Sequence, residues 1–478
     1  MVGIFLLLGL IGLGIMVFVH ELGHFVAAKA NGVVVETFSL GWGPRLIGFK
    51  RGGTVYQISW LPIGGFCKMK GEITPGVAGG STPGGNASAR NAQERTQAVA
   101  DASKGSFNAA PPWRRIMISA AGPIFNLIFA GVTLTLISWA GYNVSTYANR
   151  IVLATDYHLD ESSQVLPANA AGLKTGDRIL AIDGEPLENF WEIQEAVAEA
   201  PNKKLLFSVA REESGTTRTF DVSVTPFLDK DSGMGHIGIL PWRDPVVGSV
   251  AQGSAASIAG IRKGDRILRI NDKPVANTWD MLPAVSTSPG KVTIDLERQG
   301  IVQTVTVVFE RTSTPGVDFA EKLMGIGFAP ISYHSPRLGL AGAFKSGMHE
   351  TWKDASQTVK GFGLLFQGVN LRNAVAGPLK ITYYIGSVAA SGFQRGLRTG
   401  FVYSFQILAL LSVVLFLMNL LPIPAMDGGQ IIIFLVEIVR GKAVSTNLFW
   451  RIQIVGFSIL IGLIAVVTLN DILSFPGR

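Results

Sequence analysis

Apolar residues gather along the chain in four blocks, each long enough to cross a bilayer as a helix. They run from about Val2 to Ala28, Ile116 to Ala140, Phe401 to Leu421 and about Ile452 to Leu469. Between the second and third blocks the pattern changes to short β-branched runs broken by polar turns, the signature of strands. Further on, Phe344, Met348, Trp352, Val359, Phe362 and Phe366 recur at spacings of three, four and seven, which lays one apolar stripe along a helix. A helix on the membrane surface fits that stripe; packing against the preceding module would produce it equally well. Residues 73–110 are rich in Gly, Ala, Ser and Pro with almost no large apolar side chain, so they read as a flexible loop with no core to bury.

The strand-rich region contains a repeat. "AAGLKTGDRILAIDGEPLENFWEI" (170–193) matches "IAGIRKGDRILRINDKPVANTWDM" (258–281) at a constant spacing of 88 residues, and "HIGILP" (236–241) recurs as "GIGFAP" (325–330). Each copy suits a compact β-rich module with one or two helices. On Gly176-Asp177-Arg178-Ile179-Leu180 and Gly264-Asp265-Arg266-Ile267-Leu268 the copies resemble PDZ domains, circularly permuted because the "IGI" and "IGF" strands come last. That resemblance implies peptide capture by strand addition; a spacer without a ligand stays equally open.

Composition and charge turn the blocks into a topology. A hydrophobic fraction of 48% with 16% charged residues is too apolar for an ordinary soluble enzyme. The first block lacks a basic leader and a small-residue cleavage pattern, so it is expected to be retained as a span. Residues 29–115 carry eleven Lys/Arg against four Asp/Glu, which by the positive-inside rule makes this loop cytoplasmic and exports residues from about 143 to 400. The basic residues are scattered among glycines, so no nucleic-acid surface is expected. Cys67 is the sole cysteine, and no intrachain disulfide can form.

Candidate chemistry sits where ionisable groups are least expected. His20, Glu21 and His24 lie at the end of the first apolar block. Residues four apart share a helix face, so both imidazoles can reach one metal ion, with Glu21 beside them as a general base. The remaining histidines (His158, His236, His334, His349) fall in the exported region. The other intramembrane candidate is Asp427 in "MNLLPIPAMDGGQ" (418–430), expected to end the third span after two prolines that disrupt helical pairing. A helix-ending Asp-Gly turn is the plain alternative.

With these residues the chain resembles the site-2 protease family of intramembrane zinc metalloproteases, in the bacterial branch typified by the regulator of sigma-E protease. His20-Glu21-Leu22-Gly23-His24 matches the family's first-span motif. Asn419, Pro422, Pro424, Met426, Asp427 and Gly428 match that of its third, with Met426 in place of the usual Leu. Gly122-Pro123-Ile124-x-Asn126 matches the second span, and "TVYQISWLPIGGFCKMKGE" (54–72) resembles its membrane-reentrant β-hairpin, with Gly64-Gly65 as the turn.

The resemblance implies one Zn2+ held by His20, His24 and Asp427, with Glu21 catalytic. It assigns substrate contacts to Asn419, Pro422, Pro424, Gly64, Gly65 and Asn126. It implies a multi-span α-helical membrane protein: four transmembrane helices, a reentrant β-hairpin and two inserted β-rich PDZ domains. The divisions are 1–30 for the first helix, 31–115 for the cytoplasmic and hairpin region, and 116–142 for the second helix. The PDZ domains take 143–242 and 243–334, and 335–400 a membrane-surface helical region. The third helix with its Asp ligand takes 401–430, and 431–478 a cytoplasmic loop and the fourth helix. Implied partners are single-pass membrane proteins trimmed by a first protease, remnant signal peptides, peptide ligands of the PDZ domains and the bilayer, in a bacterial inner membrane. Two rivals remain: a membrane-anchored PDZ scaffold with a structural zinc, and a metal transporter. The first predicts metal without proteolysis; the second predicts ionisable residues spread along a path.

Overall fold

All four apolar blocks are helical in the computed structural model, which describes residues 2–72, 104–157, 165–213, 215–288, 290–310, 323–335, 337–364 and 375–474. A segment in hydrocarbon must pair its own N–H and C=O groups, and a helix does so internally. The four helices long and apolar enough to span are α1 (Val2–Ala30), α2 (Pro112–Ala140), α5 (Leu397–Asn419) and α7 (Thr446–Leu473). The chain forms two compact units. One takes the chain up to Tyr142 and again from Ser335; the other is Asn143–His334.

In the first unit, β1 (Val35–Arg51) and β2 (Thr54–Met69) follow α1. The hairpin closes at Gly52-Gly53, both in the left-handed region, where Arg51 faces Thr54. Residues on either side of Gly64 do not pair with each other, in contrast to the expected hairpin over 54–72. Phe38, Ser39 and Leu40 lie between them, facing Tyr56, Gln57 and Ile58 on one side and Cys67, Phe66 and Gly65 on the other. Gly64 (φ +80°) still turns the chain, and Trp42 occupies the space that a Cβ there would need. Of the expected flexible loop 73–110, residues 73–103 lie outside the described residues. Its end is packed: Phe107 is buried against Phe434, and its N–H donates to Lys70 O at 2.8 Å.

The region 335–400, expected as a surface helical stretch, holds two helices packed on the spans. α3 (Leu340–Leu364) runs along α2, with Ser346 Oγ at 3.3 Å from Ser138 Oγ and Thr351 Oγ1 beside Gly131. Ala343, Gly347 and Thr351 make that contact, while Phe344, Trp352 and Val359 of the apolar stripe are exposed. Small residues let the backbones approach, so the small face packs inward and the large side chains turn out. Phe366 lies outside the described residues. α4 (Pro378–Gln394) is wedged against α1: Gly9 meets the Thr382 carbonyl and Gly386 the Phe5 carbonyl so closely that neither position has room for a Cβ.

The last part also departs from expectation. The third span stops at Asn419, and residues 431–440, expected as a loop, belong to α6 (Asp427–Arg440), which ends on Gly441 in the left-handed conformation. α6 packs on α2 through a buried ion pair between Arg115 and Glu437, whose other oxygen accepts the Val444 N–H at 2.9 Å.

The second unit begins and ends as one ribbon, Asn143–Thr146 pairing antiparallel with Ile331–His334. Between them lie two four-stranded sheets of the same order. Arg178–Ile182 sits between Glu185–Pro186 and Leu205–Glu213, with Thr216–Val224 outermost. Arg266–Ile270, Lys273–Pro274, Lys291–Arg298 and Ile301–Val308 repeat that plan. In each copy the late strand pairs back to the early one: Ile239–Pro241 with Ile151–Leu153, and Ile326–Phe328 with Val247–Val250. The two copies touch through a polar lock in which Tyr157 Oη donates to Asp280 Oδ1 (2.6 Å) and Trp279 Nε1 to Pro241 O (2.9 Å).

Candidate metal centre

His20 and His24 stand one turn apart on α1, their rings 4.8 Å between centroids. Gly23, between them in sequence, packs so closely on the Ala121 carbonyl that no Cβ fits, which brings α2 directly behind the histidines. Opposite them is Asp427. It does not end the third span; it is the first residue of α6. Pro422 and Pro424 cannot donate to a helical ladder, so the chain leaves α5, makes an irregular turn with Ala425 at φ +77°, and starts again at Asp427. Gly428 and Gly429 lie against the carbonyls of Leu420, Leu421 and Ile423, where any side chain would collide. The helix N-terminus favours an ionised carboxylate at that position.

The three side chains converge. His20 Nε2 is 3.2 Å from Asp427 Oδ2, His24 Nε2 is 3.5 Å from Asp427 Oδ1, and the two Nε2 atoms are 3.2 Å apart. Among the described residues this is the one group of three or more His, Cys, Asp or Glu side chains placed to hold a metal, with ligand atoms within 4.8 Å of one another. The donor chemistry fits a cation. His24 Nδ1 is 2.8 Å from the Ile118 carbonyl, which can only accept, so Nδ1 carries the proton and the ring, when neutral, would offer its Nε2 lone pair on the side of His20 and Asp427. Gly122 completes the cradle: a Cβ there would overlap both imidazoles.

Next to the triad is a cavity of about 240 Å3 whose lining includes Glu21, Trp42, Gly65, Asn419 and Gln430. Gly65 brings the β2 backbone to Glu21, since a Cβ on it would stand 3.4 Å from Glu21 Cγ. Glu72 lines the same cavity; burial pushes its carboxyl up to about 7, although the Met69 N–H at 3.2 Å draws it the other way.

Of the residues expected to contact substrate, Asn419 and Gly65 line the cavity, whereas Gly64, Pro422 and Pro424 do not. Asn126 is fully buried behind His20, its Nδ2 at 3.2 Å from His20 Nδ1, so its partner is an imidazole. Sequence reasoning missed the Ile118 carbonyl, Glu72 and Gln430. Only Gln430 carried a signal, being three residues beyond Asp427 and thus on the same helix face; Ser119 Oγ donates to its Oε1 at 3.3 Å.

The chain is similar to known proteins over nearly its whole length. The family model described as Peptidase family M50 matches residues 8–463. The chain is 34% identical over 468 residues to a "Putative zinc metalloprotease" of Treponema pallidum, covering 98% of each chain. It is 30% identical over 481 residues to "Regulator of sigma-E protease RseP" of Salmonella typhimurium, covering 98% of this chain and 96% of the relative. With "Zinc metalloprotease RasP" of Geobacillus kaustophilus it shares 27% identity over 477 residues, 97% of this chain and 96% of the relative.

Proposed function

The chain belongs to peptidase family M50, and from that premise we propose that it is an intramembrane zinc metalloprotease that cleaves membrane-embedded segments of single-pass proteins. The observation that carries this reading is the meeting of His20, His24 and Asp427 at one point beside a cavity that also receives Glu21. His20 Nε2, His24 Nε2 and the Asp427 carboxylate would hold the zinc. When bound, the ion supplies a Lewis acid that polarises the scissile carbonyl and eases deprotonation of water.

The protein groups do the rest. Glu21 takes the proton of the attacking water and passes it to the leaving amine. Glu21 stands beside Gly65, so the proton transfer would take place next to a strand. The Gly65–Met69 segment pairs on one side with Val35–Leu40, and five of its residues line the cavity. An extended substrate adding to this strand would expose carbonyls that a helix hides. Asn419, at the end of α5, lines the same cavity and would hold the substrate backbone.

The inferred substrates are anti-sigma-factor-type proteins after a first cleavage, and remnant signal peptides. The two repeats of the second unit are read as permuted PDZ domains, because each closes its late strand onto its early one. They would act on the exported side of a bacterial inner membrane, as peptide binders or as a size filter, with the metal centre toward the cytoplasm.

The test is cleavage of a reconstituted single-pass substrate by Glu21→Gln. Turnover should fall roughly 10^2- to 10^4-fold while bound zinc stays at the wild-type level. Unchanged turnover would remove Glu21 as the base. A scaffold or a transporter would show no chelator-sensitive proteolysis in the wild type.

A further inference from the structure

The two histidines receive different partners from α2. His24 Nδ1 meets a main-chain carbonyl, which fixes the tautomer. His20 Nδ1 meets the amide of Asn126, which can donate or accept. As oriented, the Asn126 Nδ2 faces the ring at 3.2 Å, and Oδ1 is buried without a hydrogen-bond partner. An unpaired oxygen on a side chain with no exposure is destabilising, by about 1–3 kcal/mol. Exchanging amide O and N leaves every heavy atom in place. It turns Oδ1 to His20 Nδ1, satisfies the oxygen, and moves the N–H2 group to the position the oxygen held.

The consequence for the ring is chemical. With the amide N–H2 toward it, Nδ1 must carry the lone pair and Nε2 the proton, which then points at Asp427 Oδ2, 3.2 Å away. With Oδ1 toward it, Nδ1 carries the proton and Nε2 offers its lone pair to a metal. Asn126 can therefore satisfy either tautomer, the first suited to an empty site and the second to a loaded one. Asp or Leu at this position could serve one or neither.

We propose that Asn126 is a positioning residue for the metal, setting the His20 tautomer through its Oδ1 while the Ile118 carbonyl sets that of His24, and that it is not a substrate contact. The proposal rests on the metal-site reading given above. Its closest partner in space is a ligand ring, and it is absent from the cavity lining, so no substrate atom needs to reach it.

The test measures affinity for Zn2+ alone, by chelator competition on the full-length protein in detergent at about pH 8, above the ordinary imidazole range. Wild type is compared with His20→Ala, Asn126→Leu and Asn126→Asp, and the visible spectrum of Co2+ bound to each is recorded. Asn126→Leu, close in volume but without a polar atom, should weaken binding roughly 10- to 100-fold and alter the Co2+ bands. Asn126→Asp, an acceptor that cannot donate, should bind at least as tightly as wild type. A purely structural role predicts the reverse order, because a buried carboxylate disturbs packing more than Leu does. Equal affinities for all three Asn126 forms, or weaker binding by Asp than by Leu, overturns the proposal. Should Asn126→Leu fail to fold, the Asp variant decides alone: weaker binding than wild type overturns it. If His20→Ala binds as wild type does, the metal-site reading itself fails, a result distinct from any of these.

Discussion

Among the described residues, the largely buried aspartates of the two units differ in the partners they face. In the second unit, Asp177 and Asp265 are each 1% exposed and each is gripped by an arginine fork. Arg211 Nε and Nη2 reach the Asp177 oxygens at 2.7 and 2.8 Å, and Arg298 reaches both oxygens of Asp265 at 2.7 Å. A main-chain N–H, from Lys174 or Arg262, adds a further bond at 2.8 Å. These carboxylates are saturated by permanently charged, planar partners, so they hold a turn in place. Asp427 of the first unit faces imidazoles instead. His20 Nε2 and His24 Nε2 stand 3.2 and 3.5 Å from its oxygens, an arrangement that suits a cation between them. The partner, more than the burial, separates a structural carboxylate from a candidate ligand.

The sharpest way to break this contrast is to neutralise both kinds of carboxylate. Asp427→Asn should remove stoichiometric zinc and with it proteolysis, as measured by metal analysis and substrate cleavage, with the second unit still folded; an unchanged metal stoichiometry would return Asp427 to the helix-start turn. Asp177→Asn should do the opposite, destabilising its module by about 3–5 kcal/mol in urea unfolding while metal content stays the same.

A smaller effect is expected from Gly122→Ala, whose methyl group would push on both imidazoles. Overpacking of this kind costs about 1–3 kcal/mol, so zinc affinity should drop roughly tenfold or more, and an unaffected affinity would show that α2 can yield.

The mildest test is pH. Burial alone would raise the Asp265 carboxyl, but the Arg298 fork and the Arg262 N–H outweigh it and hold it below the ordinary carboxylate range. A folded-state value below the unfolded one adds stability that is complete above about pH 4 and is lost as pH falls through the folded value. Hydrogen exchange across 247–309 should therefore speed up on acidification, and Asp265→Asn should flatten that dependence. An identical acid limb in the variant would detach Asp265 from it.

Much of this could be read from the residues because its cause is local. An apolar block of membrane length has few options but a helix, His20 and His24 share a face through helical periodicity, and a repeated Gly-Asp-Arg-Ile-Leu turn builds the same sheet twice. What failed to show was pairing at a distance. Arg211 and Arg298 lie more than thirty residues beyond their aspartates in strands that resemble any other. The strand around Phe38 slips between segments that look like the two arms of one hairpin. Phe107 pins the end of a loop whose composition otherwise promises no packing. Phe344, Trp352 and Val359 of the α3 stripe face outward because glycine and alanine make the closer helix contact.

The sequence by itself determined that this chain has membrane-length helices, a histidine pair one turn apart with a glutamate between, and two like modules of one plan. Tertiary structure alone decided that Asp427 begins a helix rather than ends one, that it meets both Nε2 atoms, and that Asn126 stands behind His20. The first group follows from torsions and periodicity within a few turns of backbone. The second depends on which glycines let two backbones touch, and that is settled only when the helices pack.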